Sequence, residues 1–339
     1  MTNKNEKPSK NSNSFDAAFD NISTDNSGQQ AAPSETYDTI SIENLSNTEL
    51  AQLFSSLGRE NNSAVVIPIG FPAAGKSMWL SSLFWYASSA GAPFSIEPIS
   101  NGVYAKGEDK RQEMVTKFSN QGDLIPVNIK GTLDLIRLTL EPNKNGIPKL
   151  DLTLLDLAGE DISRIEKNNG REFTEKIETV FNGLQVNNSR VIFVLLTPFR
   201  PARLDTDSRV SDLEGHNRED KLHVTFLQYL SQKQPNLYAN SKVFMIVSQW
   251  DTNSNPALRV EDYIRNNRPQ VFSYIQNKDV IYGEYSIGRV LTQGERDGSI
   301  SQSIAYRDEV YPYRFWKEMY VQITGRDLDK KPWWQRLFS

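Results

Sequence analysis

Apolar residues in this chain fall in short, dense runs separated by polar stretches of very different length. Ala64 to Ile69 is apolar and β-branched, and Val191 to Leu196 (VIFVLL) and Val243 to Ser248 (VFMIVS) are continuous apolar runs of strand length. Such runs predict strands buried on both faces. Thr132 to Leu140 and Leu150 to Leu155 alternate apolar and polar positions on either side of EPNKNGIPK, which predicts a hairpin. Asp279 to Ser286 predicts a last strand, and Phe94 to Ile99 a further one. Helical spacing marks the rest. Leu50, Leu53, Phe54 and Leu57 form a stripe ended by Gly58. Ser46 and Glu49 fit a capping box ahead of it, with Leu45 and Leu50 placed for a hydrophobic staple. Helices are also expected over Met78 to Tyr86, around Glu108 to Phe118, and over Glu172 to Leu184, Lys221 to Tyr229 and Arg307 to Ile323. Strands alternating with helices predict an α/β fold. Its sheet is mainly parallel with one antiparallel edge hairpin, and helices cover both faces in three layers.

One stretch adds chemistry to that pattern. The strand Ala64 to Ile69 runs into Gly70-Phe71-Pro72-Ala73-Ala74-Gly75-Lys76-Ser77, and the helix opening at Met78 follows. Strand, G-x-x-x-x-G-K-S, helix is the phosphate-binding P-loop in its required context. Gly70 and Gly75 let the loop turn its N–H groups onto phosphate oxygens, and the helix start adds its own. Lys76 supplies a point charge for the β/γ-phosphates and Ser77 a hydroxyl for Mg²⁺. The expected fold is therefore a P-loop NTPase sandwich. The helix over Leu50 to Leu57 either packs on its sheet or covers the nucleotide side.

Two further strand ends carry candidates. Leu150 to Leu155 ends in Asp156-Leu157-Ala158-Gly159-Glu160. An acid there can hold Mg²⁺ through water, and Gly159 can set its N–H against a γ-phosphate. Val243 to Val247 runs into Ser248-Gln249-Trp250-Asp251. Asp251 either accepts two hydrogen bonds from a guanine edge or caps the helix that follows.

Composition narrows the class. A formal charge of −4 argues against a general nucleic-acid binder. With no cysteine and only His216 and His223, thiolate or histidine metal sites are not expected. No secretory signal is read at MTNKNEKPSK, and the uncharged run Met78 to Phe94, broken by its serines, Gly91 and Pro93, is too short to span a bilayer. A cytoplasmic protein without a transmembrane segment is the expectation.

GFPAAGKS, DLAGE and SQWD, in that order and each at a strand end, resemble the G1, G3 and G4 motifs of translation-factor-related P-loop GTPases, the class of the small GTPases. The resemblance spans roughly residues 60 to 325. It implies GTP (or ATP) and Mg²⁺ as ligands. It implies that the loop from Gly70 to Ser77 with Met78 binds phosphate, that Ser77, Asp156 and a switch threonine serve Mg²⁺, and that Gly159 senses the γ-phosphate. Thr132 is the first candidate for that threonine and Thr116 the second. Asp251, with Gln249 beside it, would read guanine. Tyr285-Ser286-Ile287-Gly288 sits where the G5 loop would be. Lys76 and Glu160 are the catalytic candidates. Ser248-Gln249 replaces the usual Asn-Lys, and Glu160 stands where small GTPases often carry Gln. The insert around 91–130 looks more like larger, divergent bacterial GTPase domains, including the double-GTPase type.

The expected organisation is a disordered tail over 1–40, a GTPase-like domain over 41–325 with inserts near 91–130 and 198–220, and a basic, aromatic tail over 326–339. Phe15, Phe19 and Ile22 share a helical face in the first tail, and Lys330-Lys331-Pro332-Trp333-Trp334-Gln335-Arg336-Leu337-Phe338 forms the second. The first tail either carries a short motif that docks on a protein partner or is an ordinary solvated tail; the second either docks a partner or a membrane surface or folds back on the domain. Arg200 and Arg203, in the loop after VIFVLL, are either an arginine finger acting in cis or across a homodimer, or solvated arginines. The reading is an Mg²⁺-dependent GTP-binding switch that hydrolyses GTP. Its rivals are an ATPase of the same fold and a poorly hydrolysing nucleotide-binding scaffold.

Overall fold

In the computed structural model the chain runs α1 (Asn47–Ser56), β1 (Ser63–Gly70), α2 (Lys76–Ala87), β2 (Phe94–Ile99), α3 (Ala105–Ser119), β3 (Leu133–Pro142), β4 (Leu150–Leu157), α4 (Glu175–Val186), β5 (Val191–Pro198), α5 (Ser208–Lys233), α6 (Pro235–Asn240), β6 (Lys242–Ser248), α7 (Val260–Asn267), α8 (Pro269–Ile275), β7 (Val280–Glu284), β8 (Gly288–Gly294), β9 (Ile300–Arg307) and α9 (Val310–Thr324). The structure describes residues 42–71, 74–120, 133–157, 162, 165, 174–200, 208–294 and 300–329, with 208–216, 292–294 and 300–302 as backbone alone. Both tail motifs lie outside the described residues.

β1 to β7 form one seven-stranded sheet in the order β2-β3-β4-β1-β5-β6-β7. β4, β1, β5, β6 and β7 are parallel, and β3 runs antiparallel to both of its neighbours. The fold is therefore α/β with a mainly parallel sheet, as expected, but the hairpin does not form the edge. β2, contributed by the 91–130 stretch, pairs with β3 and takes the edge instead. The reason lies in burial. β3 is buried along most of its length and needs neighbours on both sides. β2 is half exposed and carries Pro98, which suits an edge.

The pleat divides the core. Val65, Ile67 and Ile69 of β1 face a layer built from α1, α4, α5, α7 and α8, while Ala64 and Val66 face α2, α3 and α9. The capping box on α1 forms as expected: Glu49 N donates to Ser46 Oγ (3.3 Å) and Ser46 N to Glu49 Oε2 (2.8 Å). α1 packs on the sheet beside α4, tied there by Asn47 to Glu175 and by Asn187 to the Ser55 carbonyl. On the opposite layer, Trp316 of α9 donates to the Leu83 carbonyl of α2, and Trp79 meets Phe315 edge-on at 5.0 Å. The uncharged run Met78 to Phe94 is thus core helix as far as Ala87, then a turn that leads into β2 at Phe94. Among the described residues no helix is long and apolar enough to cross a membrane.

Two other expectations need correction. The helix expected over Lys221 to Tyr229 spans Ser208 to Lys233. Residues 208–220 show no apolar stripe in the sequence, and Glu219 and Asp220 among them are buried polar side chains, so hydrophobic spacing could not mark this part. Asp279 to Ser286 is the last strand of the main sheet but not of the chain. β8 and β9 follow as a separate antiparallel hairpin, whose segments are too polar to read as strands.

β1 also departs from a regular central strand. It pairs with β5 as far as Gly70 but with β4 only to Val66. Pro68 has no N–H to offer the ladder. The carboxyl ends of β1 and β4 are thereby unlinked where Asp156 and the Gly70 loop lie.

Candidate functional site

Because β4, β1, β5, β6 and β7 are parallel, their carboxyl ends meet along one side of the sheet. The chain leaves β1 toward β2, β3 and β4 on one flank and returns to β5 on the other. β1 is therefore the topological switch point, where open α/β sheets bind ligands. The Gly70–Ser77 loop opens there. Gly75 sits at φ +85°, a conformation that a side chain rarely adopts. As the N-cap of α2 it provides no side chain to cap the helix. The first N–H groups of α2 therefore meet no capping oxygen of that residue, at the positive end of the helix dipole. Ser77 and Met78 occupy the first turn and are half-buried. Ala74 N donates to the Phe71 carbonyl (2.9 Å), which tightens the loop. Pro72 and Ala73 lie outside the described residues.

Behind the loop sits a cluster of four charges on the α2/α3 face of the sheet. Lys76 Nζ lies 3.0 Å from Asp156 Oδ1, and both are buried. Asp156 stands directly opposite Asp134 in the β3–β4 register. Like charges in that position repel. Lys110, from α3, pairs with Asp134 and reaches Asp156 Oδ2 at 3.4 Å. Formal charge within the cluster sums to zero. No local sequence pattern marks Lys110 or Asp134: one belongs to a polar helix in an insert and the other to an alternating strand, and only the register joins them. The approach of α3 to β3 depends on Gly107, where a Cβ would stand 2.0 Å from the Leu135 carbonyl oxygen. Lys110 follows one helical turn later on the same side.

The expected base-reading segment is also assembled. Ser248 Oγ donates to the Ala74 carbonyl (3.0 Å), joining β6 to the loop. Asp251 is exposed, and its Oδ1 accepts from Ser286 Oγ (2.8 Å). It lies inside a 3-10 turn, Trp250–Thr252, whose N-cap is Gln249, while α7 is preceded by Arg259. The alternative that Asp251 caps the following helix therefore does not hold. Gln249 is exposed at φ +58°, and Ile287, half-buried, packs on the α9 side of the core. Trp250 N donates to the Tyr285 carbonyl and Tyr285 N to the Val247 carbonyl, which locks the two segments together.

On the other face, polar groups gather under the end of β5. Glu219 of α5 accepts from Thr197 Oγ1 (2.8 Å), from Arg200 (2.7 Å) and from Arg268. Arg200 is thus held in an internal ion pair rather than presented as a solvated or finger arginine; Arg203 lies outside the described residues. Asp220 accepts from the N–H groups of Gln270 and Val271 at the start of α8, and burial raises its pKa against those bonds. His223, fully buried, has its pKa pushed down to about 4 by burial, with Glu219 opposing. Arg218, one residue before Glu219, lies 4.8 Å from the ring centroid of Phe71 in the loop. The sequence pattern points to Arg200 and Arg203 but not to Arg218, because the helix that carries Arg218 has no apolar stripe there.

Thr132, Gly159 and Glu160 lie outside the described residues. Thr116, the other threonine considered, sits on α3, about 9 Å along the axis from Lys110. Among the described residues no group of three or more metal-ligating side chains converges.

No family model matches the chain, and no curated protein matches it. Among solved structures it is similar to the Signal recognition particle receptor SRb-GTP/SRX complex from Chaetomium thermophilum. The likeness has a TM-score of 0.37 and 14% sequence identity, and covers 76% of this chain and 97% of that one.

Proposed function

We propose that the protein is an Mg²⁺-dependent GTP-binding switch that hydrolyses GTP. The observation that carries this is the uncapped start of α2 at Gly75, with buried Lys76 beside it, at the switch point of the sheet. The residues present fit a nucleotide triphosphate. Loop N–H groups from Gly70 to Ser77, with the N–H groups opening α2, face phosphate oxygens. Lys76 turns from Asp156 to the β/γ-phosphates. Ser77, Asp156 and Thr132 serve Mg²⁺, which when bound neutralises charge developing on the transferred phosphoryl group. A site that uses two or three protein groups plus phosphates does not require a cage of converging acids. Gly159 senses the γ-phosphate, and Glu160 takes the catalytic role toward water. Asp251, its carboxylate fixed by Ser286, reads guanine, with Gln249 and Ile287 bordering the base. The tails are where a protein partner docks.

The test is titration of the purified protein with fluorescent GTP and ATP analogues, with and without Mg²⁺. GTP-selective, Mg²⁺-dependent binding is the expected result, and turnover of the bound GTP then follows. ATP-favouring binding would make the protein an ATPase of this fold, and no binding of either would end the proposal. In Asp251→Ala, preference for GTP over ATP is expected to fall roughly tenfold or more, the scale of one bidentate base contact. Unchanged preference would remove Asp251 from the base site.

A further inference from the structure

Lys110 has a place in the phosphate site that neither motif nor fold requires. It stands on α3, in the insert between β2 and β3, yet it reaches two carboxylates on neighbouring strands. Asp134 and Asp156 face each other across the β3–β4 ladder, 5% and 0% exposed. Two buried acids in that register need cations beside them. Among the described residues, Lys76 and Lys110 stand beside them. Gly107 lets α3 lie against the β3 backbone closely enough to bring Lys110 there. The far end of the same helix is also tied down: Arg307 of β9 donates to the carbonyls of Phe118 (2.7 Å) and Ser119 (2.6 Å).

We propose that Lys110 is a positioning residue that competes with the divalent cation for the Asp134–Asp156 pair, so that metal loading is read by α3. This rests on the nucleotide-binding reading above. When a triphosphate engages Lys76, Asp156 loses that contact while Lys110 stays within reach of it. A divalent ion arriving at Asp156 must then share that carboxylate with Lys110 or displace it toward Asp134. Displacement moves the side chain of one helix that spans from the charge cluster to the β8–β9 hairpin. The insert thereby becomes the part of the molecule that responds to the metal.

The experiment measures the Mg²⁺ concentration at half-maximal binding of a fluorescent GTP analogue, in the wild-type chain, Lys110→Met, Lys110→Arg and Asp134→Asn. Lys110→Met removes the competitor, and its midpoint is expected to fall about tenfold, the low end of what a charge within 4–6 Å does to an ion-binding equilibrium. Asp134→Asn removes the carboxylate that draws Lys110 away from Asp156, and its midpoint is expected to rise by a comparable factor. Lys110→Arg keeps the charge and should stay near wild type; it serves if the methionine variant does not fold. Hydrogen exchange in α3 should be faster with Mg²⁺ and GTP than with GTP and chelator. A merely structural role would move both charge-removing variants in the same direction. Shifts of one sign in both, or no shift in either, would overturn the proposal while leaving GTP binding intact. A wild-type chain that binds no nucleotide at any Mg²⁺ concentration would overturn the function itself, and this inference with it.

Discussion

In Lys76→Ala, affinity for the triphosphate is expected to fall roughly ten- to a hundredfold. Lys76 is 8% exposed and held 3.0 Å from Asp156, so its ammonium is already desolvated and preorganised where the loop turns. A charge-assisted contact in such a place is worth about 1.5–3 kcal/mol, and each 1.4 kcal/mol is tenfold in affinity. The variant should still fold. An uncompensated buried charge costs about 3–5 kcal/mol, but Asp156 keeps Lys110 beside it, so the loss should be smaller. Melting with and without Mg²⁺ and GTP separates the two effects. The wild-type melting temperature should rise with ligand, since binding to the native state alone adds stability, and that rise should vanish in the variant. A variant that binds as tightly as wild type would show that Lys76 is a structural partner of Asp156 and no more.

The second large effect concerns acid. His223 sits under β1, fully buried, with its pKa pushed down to about 4 from an ordinary 6.5. Above pH 6.5 it is neutral both folded and unfolded, and contributes no pH dependence. Below that value the unfolded chain takes up a proton that the folded chain refuses until about pH 4. Stability is therefore lost as pH falls through that window, by about 3 kcal/mol in total. Asp220, one turn away, works the other way, because its raised pKa favours the protonated folded state as pH falls. The decline is best read between pH 6.5 and 5, by urea unfolding. His223→Leu should flatten it. If the leucine variant keeps the wild-type slope, the acid sensitivity lies in other groups.

The sequence by itself determined the layers and the loop. The continuous apolar runs could be satisfied only by cover on both faces, and β1, β5 and β6 lie where those runs are. Gly75 needed a positive φ, and Ser46 with Glu49 needed to cap one another, because such requirements are local and are written in a few adjacent residues. Tertiary structure alone decided what depends on register and approach. That Asp134 faces Asp156, that Lys110 crosses from an insert helix to meet both, and that Arg218 rather than Arg200 lies against Phe71 are matters of which strand pairs with which and how closely a helix can lie. The length of α5 was hidden for a related reason. Glu219 and Asp220 are buried polar residues ahead of its apolar part, and polar burial leaves no hydrophobic period along the chain. Long-range charge contacts join residues tens of positions apart, and no local pattern records their meeting.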